Sequence, residues 1–127
     1  FTGELEIIII NDGSSDNCGR ICEDYATNFS HRLVYLEHKE NKGVSVARNK
    51  GMDIMTGRYF IFLDSDDILP VNSIQMMYDL AEKKQSDIVI GSIKKGKGDL
   101  KLEESSHSNK IITLMVTIVL LNYSIMI

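Results

Sequence analysis

Three carboxylates lie within four residues near the middle of this 127-residue sequence: Asp64, Asp66 and Asp67. Carboxylates this close repel one another and raise each other's pKa unless a cation lies between them. A hard divalent ion, Mg²⁺ or Mn²⁺, would remove that cost, because such ions take oxygen ligands and commonly share them with substrate phosphates. The alternative interpretation is an acidic cap, with Asp66 or Asp67 at the start of a helix that begins near Pro70.

A buried strand is the element that must position these carboxylates. Residues 59–63 are five consecutive apolar residues, too few for an independent helix and too unbroken for a half-exposed strand. They predict a strand buried on both faces of a parallel sheet. Residues 4–10, Glu-Leu-Glu-Ile-Ile-Ile-Ile, predict a second strand of this kind, and turn-forming residues follow it at 11–16. Since ligands bind at the carboxyl edge of open α/β sheets, both segments point to that edge.

The remaining periodicity predicts alternating helices and strands. Apolar residues recur at helical spacing from Cys18 to Phe29, with Ser14 or Ser15 as the expected cap. A second helix follows Gly43, and its first turns carry Arg48, for which a solvated helix face is the alternative interpretation. The other predicted elements are a strand at 33–36, a helix through 74–81 and a fourth strand at 87–91.

Composition narrows the class of protein. A net charge of −4 without any run of more than two basic residues argues against a nucleic-acid partner. Cys18 and Cys22 lie four residues apart on one predicted helix, and we interpret them as free structural thiols of a reducing compartment. His31, His38 and His107 lie in polar connecting segments without metal-ligand spacing, which predicts solvated loop side chains.

Three segments are therefore expected at one edge of the sheet: Asn11-Asp12-Gly13-Ser14, the stretch 41–49, and Asp64-Ser65-Asp66-Asp67. Together they resemble the nucleotide-sugar-binding region of the inverting glycosyltransferases of family 2. The resemblance covers roughly residues 4 to 92 and rests on the order and spacing of the whole set, since each motif alone is weak. It implies an α/β fold, a Rossmann-like GT-A domain with a mainly parallel sheet flanked by helices, here incomplete.

The resemblance implies a nucleotide-binding role for five residues. Asp12 would accept a hydrogen bond from the base, expected to be uracil, while Gly13 and Ser14 let the chain turn beneath it. Arg48 would lie beside the nucleotide, where its fixed charge suits an anion. Asp64 would bind the ribose hydroxyls.

The resemblance also makes the acidic segment an Asp-x-Asp metal motif. Asp66 would coordinate Mg²⁺ or Mn²⁺ at the diphosphate, and Asp67 would support it from the next position. The expected partners are a nucleotide-sugar donor, in particular a UDP-sugar, and a glycan or lipid-linked acceptor of bacterial polysaccharide synthesis. The metal would stabilise charge on the leaving nucleoside diphosphate.

Two parts of the family pattern do not occur in this sequence. The opening strand and helix would precede Glu4, and the general base would follow Gly91. Glu103 and Glu104 lie in that later part of the chain, but we do not assign either of them as the general base. The expectation is a partial donor-binding domain at 1–93, a polar loop at 94–110 and an apolar tail at 111–127. Such a chain, shortened at both ends, would transfer little or no sugar alone.

The tail at 111–127 is uncharged and slightly shorter than the ~20 residues that span a bilayer. A buried strand or pair of strands, a membrane-facing segment and a frameshifted end from Met115 onward are the alternatives. Because no signal peptide is recognisable, a cytoplasmic location is expected. Contact with the inner face of the cell membrane or with a second copy of the chain, as a homo-oligomer, would cover the apolar surface of the tail.

Two other function classes compete with the transferase. A phosphohydrolase of the haloacid-dehalogenase type also places Asp-x-Asp after a buried strand, but normally after its first strand and with Thr or Val following. The other class is a non-catalytic nucleotide-binding or assembly module, which retained nucleotide binding without transfer would support.

Overall fold

A computed structural model describes residues 1–91 and the strand segments 120–121 and 123–126. The predicted loop at 94–110, with His107, Glu103 and Glu104, lies outside the described residues, as does most of the tail. The elements, in chain order, are β1 (Leu5–Asn11), α1 (Cys18–Asn28), β2 (Leu33–Glu37), α2 (Val44–Ile54), β3 (Arg58–Phe62), α3 (Ser73–Lys84), β4 (Leu120–Leu121) and β5 (Tyr123–Met126).

The strands form one five-stranded sheet in the order β2-β1-β5-β3-β4. β2, β1, β5 and β3 run parallel, and β4 pairs antiparallel with β3. In the β1–β2 pair, Asn11 is opposite Glu37, so the two strands end side by side. The mainly parallel α/β sheet predicted from the sequence is confirmed. The described part of the tail forms two short strands, as one of the alternatives held.

The core lies on both faces of β3. Tyr59 and Phe60 are each 2% exposed and, as neighbours on a strand, point to opposite faces. Tyr59 packs in a cluster with Ala81 of α3, whereas Phe60 packs with Ile8 of β1 and with Ile54 of α2. Burial on two faces explains why residues 59–63 form an unbroken apolar run, as predicted.

The fourth strand predicted at 87–91 is wrong. These residues have no strand pairing, and β4 is the strand that pairs with β3 at Arg58 and Tyr59. The apolar character of the segment has a different cause, since Val89 is 5% exposed and packs against Tyr59 and Ala81. An apolar run of this length predicted burial correctly and pairing incorrectly.

The cap predicted for α1 is also wrong. Neither Ser14 nor Ser15 caps it; Asp16 accepts a hydrogen bond from the Cys18 N–H at 3.0 Å instead. No α1 residue is fully buried, and Tyr25 is 56% exposed, because the helix packs mainly over the edge strand β2, whose only buried side chain is Leu33. The two cysteines are free thiols, as predicted.

The described residues contain no helix that is both long and apolar enough to cross a membrane. The longest helix in the described part of the chain, α3, has 12 residues.

Candidate functional site

A cavity of about 450 Å³ lies at the carboxyl edge of the sheet, where the segments after β1 and β3 meet the start of α2. Part of its wall is apolar, contributed by Ile10, Val44, Ala47 and Leu63. Its polar lining comes from three separate segments of the chain and consists of Asp12, Asn41, Arg48, Asp64, Ser65 and Asp66. Such a mixture of an apolar wall and a few convergent polar groups is typical of small-molecule sites.

Asp12 makes three side-chain hydrogen bonds at this edge of the sheet. Its Oδ1 lies 2.7 Å from Nδ1 of His38 and accepts a hydrogen bond from the Lys42 N–H at 3.0 Å. Its Oδ2 accepts from the Gly43 N–H at 2.7 Å. The bond with His38, followed by the bond from the Lys42 N–H, holds the pKa of the Asp12 carboxyl below its usual value. Asp12 is therefore ionised at neutral pH and can only accept hydrogen bonds.

Gly13 lets the segment after β1 approach the loop that leads to α2. Its φ is +78°, in the left-handed region that glycine adopts without steric cost. A Cβ at this position would lie 2.7 Å from both the Asn41 nitrogen and the Glu40 carbonyl carbon. The two backbones are thus too close for any side chain, and this closeness brings Lys42 and Gly43 within reach of Asp12.

Asn11 fixes the turn that follows β1. It is 6% exposed, and its Oδ1 accepts a hydrogen bond from the Ser14 N–H at 2.9 Å and another from the Ser14 hydroxyl. Its Nδ2 donates to Oε1 of Glu37 at 2.8 Å and to the Tyr35 hydroxyl at 3.2 Å. Asn11 therefore ties the turn to β2, and Ser14 is used inside the turn.

Arg48 and Asp64 form an ion pair across the cavity. Nη2 of Arg48 donates to Oδ1 of Asp64 at 2.8 Å, and the guanidinium carbon lies 5.0 Å from the centre of the Phe62 ring. The side chains are 40% and 59% exposed, respectively. Exposed pairs of this kind contribute roughly 0–1 kcal/mol, so an anionic ligand can compete for the arginine at little cost.

The segment after β3 turns tightly, and this turn decides which carboxylates face the cavity. The Asp67 N–H donates to the carbonyl oxygen of Asp64 at 2.9 Å. Asp64 and Asp66 line the cavity, whereas Asp67 does not. The alternative of an acidic helix cap is wrong, since α3 begins at Ser73 and is preceded by Asn72.

The oxygen chemistry of this segment fits a hard divalent ion that draws ligands from its substrate. Within residues 1–91 and the two strand segments, no three His, Cys, Asp or Glu side chains cluster closely enough to hold a metal by themselves. Mg²⁺ is usually held by one or two carboxylates together with substrate phosphates and water, so Asp66 with a second carboxylate meets its needs. The predicted pair of Asp66 and Asp67 stays a prediction.

The structure brings together four of the seven residues that the sequence singled out. Asp12, Arg48, Asp64 and Asp66 share the cavity. Gly13, Ser14 and Asp67 lie outside its wall, the first two in the turn described above.

His38 is the residue that the sequence interpretation missed. A solvated loop side chain was predicted, but the side chain is 13% exposed and bonded to Asp12. The signal was present in the pattern of strands, because His38 follows β2 directly as Asp12 follows β1. His31 is exposed, as predicted.

Comparison with known proteins gives a consistent result. The family model described as glycosyl transferase family 2 matches residues 2–124. The chain is 40% identical to glycosyltransferase GlyA of Streptococcus pneumoniae over 88 residues, which are 69% of the chain and 12% of that protein. It is 39% identical to glycosyltransferase GlyG of the same organism, over 69% of the chain and 29% of the relative. Against YibD of Escherichia coli, named an uncharacterized glycosyltransferase, the identity is 44% over 66% of the chain and 24% of the relative. The matched segment thus spans less than a third of each of these relatives.

Proposed function

Because the chain belongs to glycosyl transferase family 2, we propose that it binds the nucleotide-sugar donor, a UDP-sugar, of a transferase that acts on a glycan or glycoconjugate. One observation carries this proposal. Asp12, Arg48, Asp64 and Asp66 come from three separate segments and line one cavity at the edge of the sheet where ligands bind.

Asp12 is proposed to recognise the base. A carboxylate offers about four acceptor positions, and the donors described above use two on Oδ1 and one on Oδ2. The remaining position on Oδ2 suits a ligand with a single N–H donor. Uracil has one such group, N3–H, between two carbonyl acceptors, whereas cytosine has an acceptor at N3 and carries its N–H donors on the exocyclic N4. A carboxylate opposite N3 therefore favours uridine over cytidine nucleotides.

Asp64 and Arg48 are proposed to bind the rest of the nucleotide. A ribose has two vicinal hydroxyls that donate to a carboxylate, and Asp64 is 59% exposed at the cavity. Arg48 would leave its exposed pair with Asp64 partly or fully and lie beside the nucleotide, where its fixed charge suits the diphosphate. On ligand binding, the ion pair between Asp64 and Arg48 is thus replaced by contacts of Asp64 with the ribose and of Arg48 with the diphosphate.

Asp66 is proposed to hold Mg²⁺ or Mn²⁺, supported by Asp67. When bound, the ion supplies electrostatic stabilisation for the negative charge on the departing nucleoside diphosphate. Asp66 presents a carboxylate oxygen at the cavity wall, and the turn at 64–67 holds that segment in place.

Sugar transfer by this chain alone is proposed to be weak or absent. Transfer to a hydroxyl acceptor needs a general base, and the three carboxylates that line the cavity are each assigned to the nucleotide or the metal. A non-catalytic nucleotide-binding module remains the alternative function on the same grounds. We place the whole protein in the cytoplasm, at the inner face of the membrane if its acceptor is lipid-linked.

Calorimetric titration of UDP into the chain tests the proposal, with Mn²⁺ and then with a chelator. We expect binding that requires Mn²⁺ and that exceeds the binding of CDP. Asp66→Asn should abolish the effect of Mn²⁺. Asp53→Asn is the matched control, since it makes the same chemical change at an exposed position of α2 outside the cavity wall.

Absence of UDP binding under both conditions would contradict the proposal. Binding that is equal with Mn²⁺ and with chelator would support the nucleotide site and contradict the metal site. Equal affinity for UDP and CDP would remove the assigned role of Asp12 in choosing the base.

A further inference from the structure

His38 and Asp12 are held side by side by the sheet. The backbone N–H of His38 donates to the carbonyl oxygen of Asn11 at 2.9 Å, which extends the β1–β2 pairing to the residue after β2. The imidazole Nδ1 then lies 2.7 Å from Oδ1 of Asp12, with side-chain exposures of 13% for His38 and 18% for Asp12. The contact is thus mostly shielded from water and fixed to a rigid strand end.

The chemistry of the two groups decides the direction of the hydrogen bond. An ionised carboxylate can only accept, so Nδ1 of His38 carries the proton and donates it to Oδ1. Two further donors, the backbone N–H groups of Lys42 and Gly43, approach the same carboxylate. Since His38 begins the loop 38–43 and Lys42 and Gly43 end it, Asp12 bonds to both ends of that loop.

The three donors differ in kind. The N–H groups of Lys42 and Gly43 are backbone groups at the end of the loop 38–43, next to the start of α2. His38 is the one side-chain donor among the three, and its backbone is bonded to the end of β1. A substitution at position 38 can therefore remove this donor without removing a backbone N–H.

We propose that His38 is a positioning residue for Asp12: its Nδ1–H fixes Oδ1, so that Oδ2 keeps one acceptor position turned toward the cavity. This inference rests on the proposed function, in which Asp12 accepts a hydrogen bond from the base of the nucleotide. His38 itself does not line the cavity and is not a catalytic residue. Its effect on the ligand passes through the carboxylate.

Three variants test this role through the affinity for UDP in the presence of Mn²⁺. His38→Ala removes the donor, and we expect the dissociation constant to rise about tenfold, the usual scale for losing a hydrogen bond to a charged group. His38→Asn supplies an amide N–H near the place of Nδ1–H and should stay within about twofold of the unsubstituted chain. His31→Ala removes an exposed histidine and should change nothing.

A second measurement does not depend on the nucleotide. In the free chain, the NMR amide shifts of Lys42 and Gly43 report their bonds to Asp12. We expect both to move in His38→Ala, to stay near their original values in His38→Asn, and to stay unchanged in His31→Ala. A role limited to overall stability would lower the melting temperature in both His38 variants without this pattern of rescue.

The outcomes separate this inference from the proposed function. If the unsubstituted chain does not bind UDP, the proposed function fails and the inference fails with it. If the chain binds UDP and His38→Ala binds it equally well, only the inference is overturned. Equal losses in His38→Ala and His38→Asn also overturn it, because an N–H donor would then not be what matters. If His38→Ala fails to fold, the affinity of His38→Asn decides alone, retained binding supporting the inference and lost binding overturning it.

Discussion

Replacement of Gly13 by alanine is the sharpest test of the arrangement at this edge of the sheet. Gly13 has a φ of +78°, and an L-residue forced into the left-handed region costs roughly 1–2 kcal/mol. The added Cβ would also lie 2.7 Å from the Asn41 nitrogen and the Glu40 carbonyl carbon. These are backbone atoms, so they cannot rotate away as the end of a side chain could, and the loop itself must move.

The expected loss of stability follows from these two effects. Overpacking that shifts the backbone typically costs roughly 1–3 kcal/mol, whereas the loss of glycine's freedom in the unfolded chain offsets roughly 0.4–1 kcal/mol. We expect Gly13→Ala to lower the free energy of unfolding by about 2–4 kcal/mol, which for a chain of this size lowers the melting temperature by roughly 10 °C.

Urea and thermal unfolding followed by circular dichroism provide the assay. Gly91→Ala is the matched control, because a Cβ there meets no atom of the described residues within 4 Å and its φ lies outside the left-handed region. The control should change the free energy of unfolding by less than about 0.5 kcal/mol. If Gly13→Ala were as stable as the control, the close approach of the two backbones would be refuted, and with it the account of how Lys42 and Gly43 reach Asp12.

Three further predictions concern the polar side chains of Asn11, Asp12 and Tyr59. Asn11→Ala leaves Glu37 and the turn without their bonds and should destabilise the chain by about 1–3 kcal/mol in urea unfolding; no change would contradict the network. Because the pKa of Asp12 is lowered, the stability from its hydrogen bonds is complete above the ordinary pKa of 3.8 and is lost as the pH falls through the lowered pKa. Asp12→Asn should remove this pH dependence from acid-unfolding curves. Burial and the hydrogen bond to Glu82 raise the pKa of Tyr59 to about 12. The stability that the neutral Tyr59 hydroxyl contributes to folding is therefore complete below pH 10.0 and is lost as the pH rises through about 12. An alkaline absorbance titration should lose its late-titrating tyrosine in Tyr59→Phe; an unchanged titration would contradict this.

The elements that carry the site could be predicted because their signals are local. The four isoleucines of β1 and the run at residues 59–63 each predict a strand without knowledge of any other segment. The parallel arrangement then follows from the alternation of strands and helices. Together these two steps are sufficient to place Asp12 and Asp64 at one edge of the sheet.

What the sequence did not show at 87–91 and at α1 has a common physical cause, since it depends on which segment lies next to which. Val89 is buried as its composition suggests, but whether 87–91 joins the sheet depends on what pairs with β3. The apolar face of α1 is periodic, but its burial depends on how much apolar surface the edge strand beneath it offers. Neither neighbour can be deduced from the segment itself.

His38 falls between these two cases. Its contact with Asp12 is not visible in composition or periodicity. Yet in the β1–β2 register Asn11 is opposite Glu37, so the next two residues, Asp12 and His38, leave their strands side by side. Extending the parallel pairing by two residues beyond the predicted strand ends, Ile10 and Leu36, reaches this pair.

The bonds at this edge form one continuous connection between the three segments of the site. Asp12 binds the two ends of the loop 38–43, that loop leads into α2, and Arg48 of α2 pairs with Asp64 after β3. The position of each cavity residue therefore depends on its neighbours in this connection as well as on its own strand. A change at Gly13 or His38, outside the cavity wall, should reach the ligand by the same route as a change in Asp12. For this reason stability and nucleotide affinity should fall together in Gly13→Ala, where the loop moves. In His38→Asn the loop does not move, so the nucleotide affinity should be retained whatever the change in stability.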